Sequence, residues 1–128
     1  MNLLLDTHTF IWWADEPEKL SENALQALET ENNQLILSIV SIWEIQIKAQ
    51  LGKLKLSIPL KDLLESQEHA NHLKILPIIQ AHIFALEGLP LHHKDPFDRL
   101  LIAQSIVENV TVVSADSKLS AYSVTLLW

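Results

Sequence analysis

Four acidic residues stand where a folded chain could gather them. Asp6 follows the apolar run Leu3-Leu4-Leu5, and Glu44 comes a few residues after the apolar run 35–39. Asp98 heads the apolar stretch 100–103, and Asp116 follows the run 110–114. In an open parallel sheet, ligands collect beyond the carboxyl ends of the strands. Acids delivered to that one edge repel one another and call for a divalent cation, so the pattern points to metal-dependent phosphoryl chemistry. Mg²⁺ prefers oxygen ligands and keeps several waters, which suits carboxylates without Cys or His ligands. Without metal, at least one of the four acids should titrate high, coupled to the others.

Each acid also has a plainer reading. Asp6 could be a turn or N-cap acid for the next helix. Ser41-Ile42-Trp43-Glu44 fits a capping box, and Glu44 lies one turn before Lys48, a helical ion-pair spacing. Spacing alone favours that account; the sharper one makes Glu44 a first-turn metal ligand, with Lys48 orienting it or meeting a phosphate. Asp95 before Pro96 reads as an N-cap, with Pro at the first helical position. Asp98 is then either its reciprocal partner or a site acid. Arg99, the chain's one arginine, is either a surface or Asp-paired cation, or a phosphate contact or carboxylate tether. Asp116 could cap the next turn, or act as a fourth ligand assisted by the Ser114 hydroxyl. His8, and by adjacency Thr7, could line the cleft beside Asp6. His92 and His93 are loop histidines that could touch RNA but are usually solvated. His69, His72 and His82 show no metal-ligand spacing and read as structural.

The elements that must position these side chains follow from hydropathy. Residues 2–5, 35–39, 73–78, 110–114 and 124–127 are apolar runs of strand length. Helical patterns occupy 9–14, 21–31 with Ser21 as N-cap, 41–51 ending at Gly52, 60–72, 81–87 and 96–108. Residues 53–59 form a basic connection, 90–94 a loop and 117–121 one helical turn. Strands alternating with helices predict βαβ crossovers, and unbroken apolar strands predict a parallel sheet covered on both faces.

The chain has 128 residues, of which 48% are apolar, enough for one domain over residues 1–128 with a substantial core. Formal charge is −7, with pI near 5.2, so there is no broad basic face for non-specific phosphate binding. Any nucleic-acid contact should be local, metal-assisted or completed by a second subunit. No cysteine is present, which rules out disulfides and thiolate metal sites and is compatible with a cytoplasmic protein. The most apolar stretch, 35–43, is too short to span a bilayer. Trp12 and Trp13 lie on a short helix that cannot easily bury both, so they are either core or an association surface.

Four segments together resemble the PIN-domain family, and more closely the VapC-type toxins of bacterial toxin–antitoxin pairs. They are Leu4-Leu5-Asp6-Thr7-His8, Ser41-Ile42-Trp43-Glu44-Ile45, the run from His93 through Asp95-Pro96-Phe97-Asp98-Arg99 to Ala103, and Ser114-Ala115-Asp116. The resemblance implies a three-layer α/β/α sandwich around a parallel sheet of four to five strands. It implies an endoribonuclease using Mg²⁺ or Mn²⁺, with the family's four acids falling on Asp6, Glu44, Asp98 and Asp116. Asp6 and Asp98 would be the central ligands, with Glu44 and Asp116 acting through water or at a second ion. It further implies a homodimer neutralised by an antitoxin, the antitoxin being the DNA-binding partner. The family commonly has Asn where this chain has His8. A haloacid-dehalogenase-type phosphatase is disfavoured because His8 stands where a second Asp is needed. A phosphoacceptor receiver domain needs an acid after its middle strand, and Pro77-Ile78-Ile79-Gln80 offers none. The remaining alternative is a catalytically inactive PIN-like scaffold that works through protein partners.

Overall fold

A computed structural model describes residues 1–128. Five strands, β1 (Asn2–Leu5), β2 (Gln34–Ser38), β3 (Lys74–Leu76), β4 (Thr111–Val113) and β5 (Leu126–Leu127), form one sheet in the order β3-β2-β1-β4-β5. Every pairing is parallel. Six helices connect and cover it: α1 (Thr7–Asp15), α2 (Glu22–Glu29), α3 (Ile39–Gln50), α4 (Leu60–Asn71), α5 (Gln80–Ala85) and α6 (Pro96–Glu108). Short 3₁₀ turns occupy Pro17–Lys19, Leu86–Gly88 and Ser117–Ala121.

The central strand explains the continuous apolar pattern. Leu3 and Leu5 face a core built with Phe10 of α1, Ala24 and Leu28 of α2, Ile45 of α3 and Leu63 of α4. Leu4 faces the opposite side, with Ile36, Val40, Leu76 and Leu101 of α6. A third cluster joins Ile102, Val112, Leu119 and Tyr122. All three leucines are fully buried, as a strand covered on both faces requires. The expected α/β/α layering with a parallel sheet is therefore the observed one. No helix is long and apolar enough to cross a membrane.

Two of the boundaries that differ from the sequence expectation have their cause in the sheet. The third helix starts at Ile39, with the Ser38 hydroxyl accepting from the Val40 amide at 3.0 Å, so Ser41 is not its cap. Both serines meet the local requirement for a cap. The sheet chooses Ser38, because β2 pairs with β3 through Ser38↔Leu76 and the ladder stops there. The third strand is shorter than 73–78 for the same reason: its one neighbour, β2, ends at Ser38. Gly52 has φ +72° beyond α3, which supports its expected role past the helix end.

Among the histidines read as structural, His82 is buried. Its Nδ1 accepts from the Ile79 amide at 3.1 Å and its Nε2 meets Glu108 at 2.9 Å. Trp12 and Trp13 are both half-buried against the main core, and Trp12 packs between His8 and Trp128.

Candidate metal centre

Register brings the acids to one edge. Leu5 is paired with Val113 in β4 and with Leu37 in β2, so Asp6, Ser114 and Ser38 all leave the sheet at the same level. The Asp6 amide extends the ladder by donating to Val113 O at 3.1 Å. Its carboxylate is divided between two tasks. Oδ1 caps α1 by accepting from the Thr9 amide at 2.8 Å, and Oδ2 accepts a short hydrogen bond from the Ser114 hydroxyl. Ser114 Oγ in turn accepts from the Asp116 amide at 3.0 Å. Asp116 Oδ1 caps the following 3₁₀ turn by accepting from the Lys118 amide. Capping and clustering are not alternatives here. In a parallel sheet, helices that follow strands begin at the carboxyl edge, so their caps lie at that edge as well.

Glu44 is reached differently. With Ser38 as cap it lies nearly two turns into α3, so the capping-box reading of Ser41 with Glu44 does not hold. The side chain is buried, with Oε1 accepting from Thr7 Oγ1 at 2.6 Å and Oε2 from Lys48 Nζ at 2.7 Å. Ser41 Oγ lies 3.1 Å from the Thr7 hydroxyl. Thr7 and Lys48 thus hold the carboxylate from two sides, the Lys48 contact having the one-turn ion-pair spacing. Thr7→Val should cost about 1.5–3 kcal/mol, because a buried charged acceptor loses a donor; urea denaturation measures it.

Asp98 lies in the first turn of α6. Asp95 is the N-cap, its Oδ1 accepting from the amides of Phe97 at 2.8 Å and Asp98 at 3.3 Å. Asp98 has a carboxyl pKa pushed up to about 6, first by burial, then by the neighbouring charges of Asp95, Glu44 and Asp6. His93 opposes the rise. Asp98 therefore feels the negative charge of both Asp6 and Glu44, side chains far from it in sequence.

His93, Asp98 and Asp116 each offer a donor atom within 4.8 Å of the others. His93 Nε2 is 2.9 Å from Asp98 Oδ2 and 3.5 Å from Asp116 Oδ2. The tightest grouping thus joins Asp98 to Asp116, whereas the sequence expectation makes Asp6 and Asp98 the central ligands. Asp6 is joined to the group through Ser114, and Glu44 through its charge. The oxygen-rich donor set, and the raised carboxyl at its centre, fit a hard dication.

The sequence reading allows His93 a contact with RNA but gives it no place beside the acids. Its spacing to Asp98 matches no helical ligand pair. The local contact that places it is the Asp95 amide, which donates to His93 Nδ1 at 3.2 Å.

Two other candidate side chains have their hydrogen bonds and ring contact elsewhere. Arg99 forms no ion pair with a carboxylate; its partners lie in the loop before α6 and at Tyr122. Its Nη1 donates to Pro90 O at 2.9 Å, and its Nη2 lies 3.5 and 3.4 Å from the carbonyls of Leu86 and Leu89. The loop before α6 has carbonyls with no ladder to satisfy them, and the guanidinium fork supplies the donors. His8 is exposed and stacks on Trp12, with ring centroids 5.8 Å apart.

The sequence pattern of the PIN domain matches residues 3–124. The chain belongs to the PIN domain family. It is 33% identical over 122 residues to ribonuclease VapC22 of Mycobacterium tuberculosis, an alignment covering 94% of this chain and 91% of that protein. The fold is similar to that in the crystal structure of VapBC2 from Rickettsia felis bound to a DNA fragment from their promoter. There the TM-score is 0.72 at 20% identity, over 98% of this chain and 97% of the other. FitAcB from Neisseria gonorrhoeae gives a TM-score of 0.62, also at 20% identity, over 97% of this chain and 95% of the other.

Proposed function

We propose that this PIN-domain chain is a metal-dependent endoribonuclease, the toxin of a toxin–antitoxin pair, with residues 1–128 acting as one domain. The observation that carries the reading is the convergence at one sheet edge of Asp98 and Asp116 with Asp6 and Glu44 coupled to them. Similarity to a protein named as a ribonuclease, and to a fold found in VapBC complexes, supports it. Mg²⁺ or Mn²⁺ is the cation proposed.

Asp98 and Asp116 would hold the ion directly, with Asp6 completing the site from the strand end. Glu44, fixed by Thr7 and Lys48, adds charge and an outer hydrogen-bond acceptor. When bound, the cation supplies Lewis acidity toward water and toward a phosphate oxygen, and it offsets the acids' repulsion of an anionic substrate. The protein's own part is to hold these carboxylates together, oriented and partly dry. The neutralising partner is proposed to be an antitoxin, the assembly a homodimer and the compartment the cytoplasm.

The test is cleavage of total RNA and purified tRNA with Mg²⁺, Mn²⁺ or chelator. The wild-type chain should cut only with metal, and Asp6→Asn and Asp98→Asn should lose at least about 100-fold in rate while remaining folded. Both variants cutting as fast as wild type would overturn the proposal and leave the scaffold reading.

A further inference from the structure

We propose that His93 is a positioning residue of the metal site: its Nε2–H holds the Asp98 and Asp116 carboxylates, and the ring itself does not ligate the ion. The inference rests on the metal-site reading above and concerns one residue of it.

The argument begins with the other ring nitrogen. The Asp95 backbone amide donates to His93 Nδ1 at 3.2 Å. A nitrogen that accepts must present its lone pair, so in the neutral ring the hydrogen is on Nε2. Nε2 faces Asp98 Oδ2 at 2.9 Å and Asp116 Oδ2 at 3.5 Å. The nitrogen that carries the hydrogen is therefore the one lying beside both carboxylates. Ligation through Nε2 would need the opposite tautomer, with a hydrogen on Nδ1 pointing at the Asp95 N–H. Those two donors would face each other with no acceptor between them.

The ring has little freedom to avoid this. His93 is 14% exposed, against 27% for Asp98 and 35% for Asp116, so it is the most enclosed of the three. Its own backbone amide donates to Tyr122 Oη at 2.8 Å, and Arg99 Nη1 lies 3.4 Å from the same oxygen. The amide that sets the tautomer belongs to Asp95, whose carboxylate caps the turn that presents Asp98. One short segment therefore places both the acid and the donor that orients it. His93 Nε2 lies beside Oδ2 of Asp98, and the Asp98 carboxylate would still be able to hold an ion. Outer hydrogen bonds of this kind typically change metal affinity by about 10–100-fold.

The experiment is Mn²⁺ binding to the whole chain, followed by calorimetry and by pulsed electron paramagnetic resonance, for wild type, His93→Ala and His93→Gln. Thermal melts without metal check folding. His93→Ala should weaken Mn²⁺ binding by about 10–100-fold. His93→Gln, which keeps an N–H donor at the end of its side chain, should recover a measurable part of that loss. Wild-type Mn²⁺ should show no ¹⁴N coupling from a bound imidazole, and ¹⁵N NMR of the metal-free protein should find the His93 hydrogen on Nε2. Imidazole coupling, a hydrogen on Nδ1, unchanged affinity in His93→Ala, or no recovery by Gln would each overturn the proposal. Wild-type protein that binds no Mn²⁺ would overturn the nuclease reading and this inference with it. Tight wild-type binding unaffected by His93→Ala would overturn this inference alone.

Discussion

Asp98→Asn should abolish metal-dependent cleavage and, in the absence of metal, make the protein more stable by about 2 kcal/mol above pH 7. The two effects share one cause. Burial and the charges of Asp95, Glu44 and Asp6 raise the Asp98 carboxyl from 3.8 to about 6, so its ionised form is disfavoured in the folded chain. At about 1.36 kcal/mol per pKa unit that rise corresponds to roughly 3 kcal/mol, and the side chain's 27% exposure lowers the figure to about 2. The sign follows from proton binding. Between about pH 4 and 6 the folded state holds this proton more tightly than the unfolded state, so the stability from Asp98 is fully present below 3.8 and is lost as pH rises through about 6. Asn carries no such proton. The stability difference between variant and wild type should therefore be near zero at pH 4, grow towards pH 6 and level off above it. Saturating Mn²⁺ should stabilise wild type, by about 2.7 kcal/mol at a hundredfold excess over Kd, and leave Asp98→Asn nearly unchanged. Urea denaturation across pH, with and without Mn²⁺, measures all of this. A wild-type chain as stable as Asp98→Asn at pH 8 without metal would contradict it.

Phe10→Ala should cost about 3–5 kcal/mol, much of the stability a domain of this size commonly has. Phe10 is fully buried in the main core, one turn into the helix that Asp6 caps. Its loss leaves a cavity under α1, whose first residue, Thr7, holds Glu44. The urea midpoint should fall sharply, and Mn²⁺ affinity should weaken as well, because Thr7 and Asp6 are carried by the helix that shifts. Phe10→Leu, which fills most of the space, should recover most of both. Full Mn²⁺ affinity in a strongly destabilised Phe10→Ala protein would separate the site from this core.

Much of the architecture was legible along the chain. Leu3-Leu4-Leu5 and Leu35-Ile36-Leu37 are short unbroken apolar runs, as strands covered on both faces require. α6 is announced by Asp95-Pro96 and needs no tertiary information to begin where it does. The start of α3 was not legible, because Ser38 and Ser41 both qualify as caps and only the end of the β2–β3 ladder decides between them. Arg99 could not be assigned either, since its partners are carbonyls of a loop whose path no local pattern describes.

The amino-acid order by itself determined which elements form and that acids stand just beyond strand ends, because hydropathy period and capping chemistry act over a few residues. Which acids come within reach of one another was decided by the tertiary structure. Strand register sets Asp6 level with Ser114, the entry of α3 sets the height of Glu44, and the segment before α6 puts His93 beside Asp98 and Asp116. Distances between side chains separated by tens of residues depend on packing against a shared sheet, and no local spacing rule contains them.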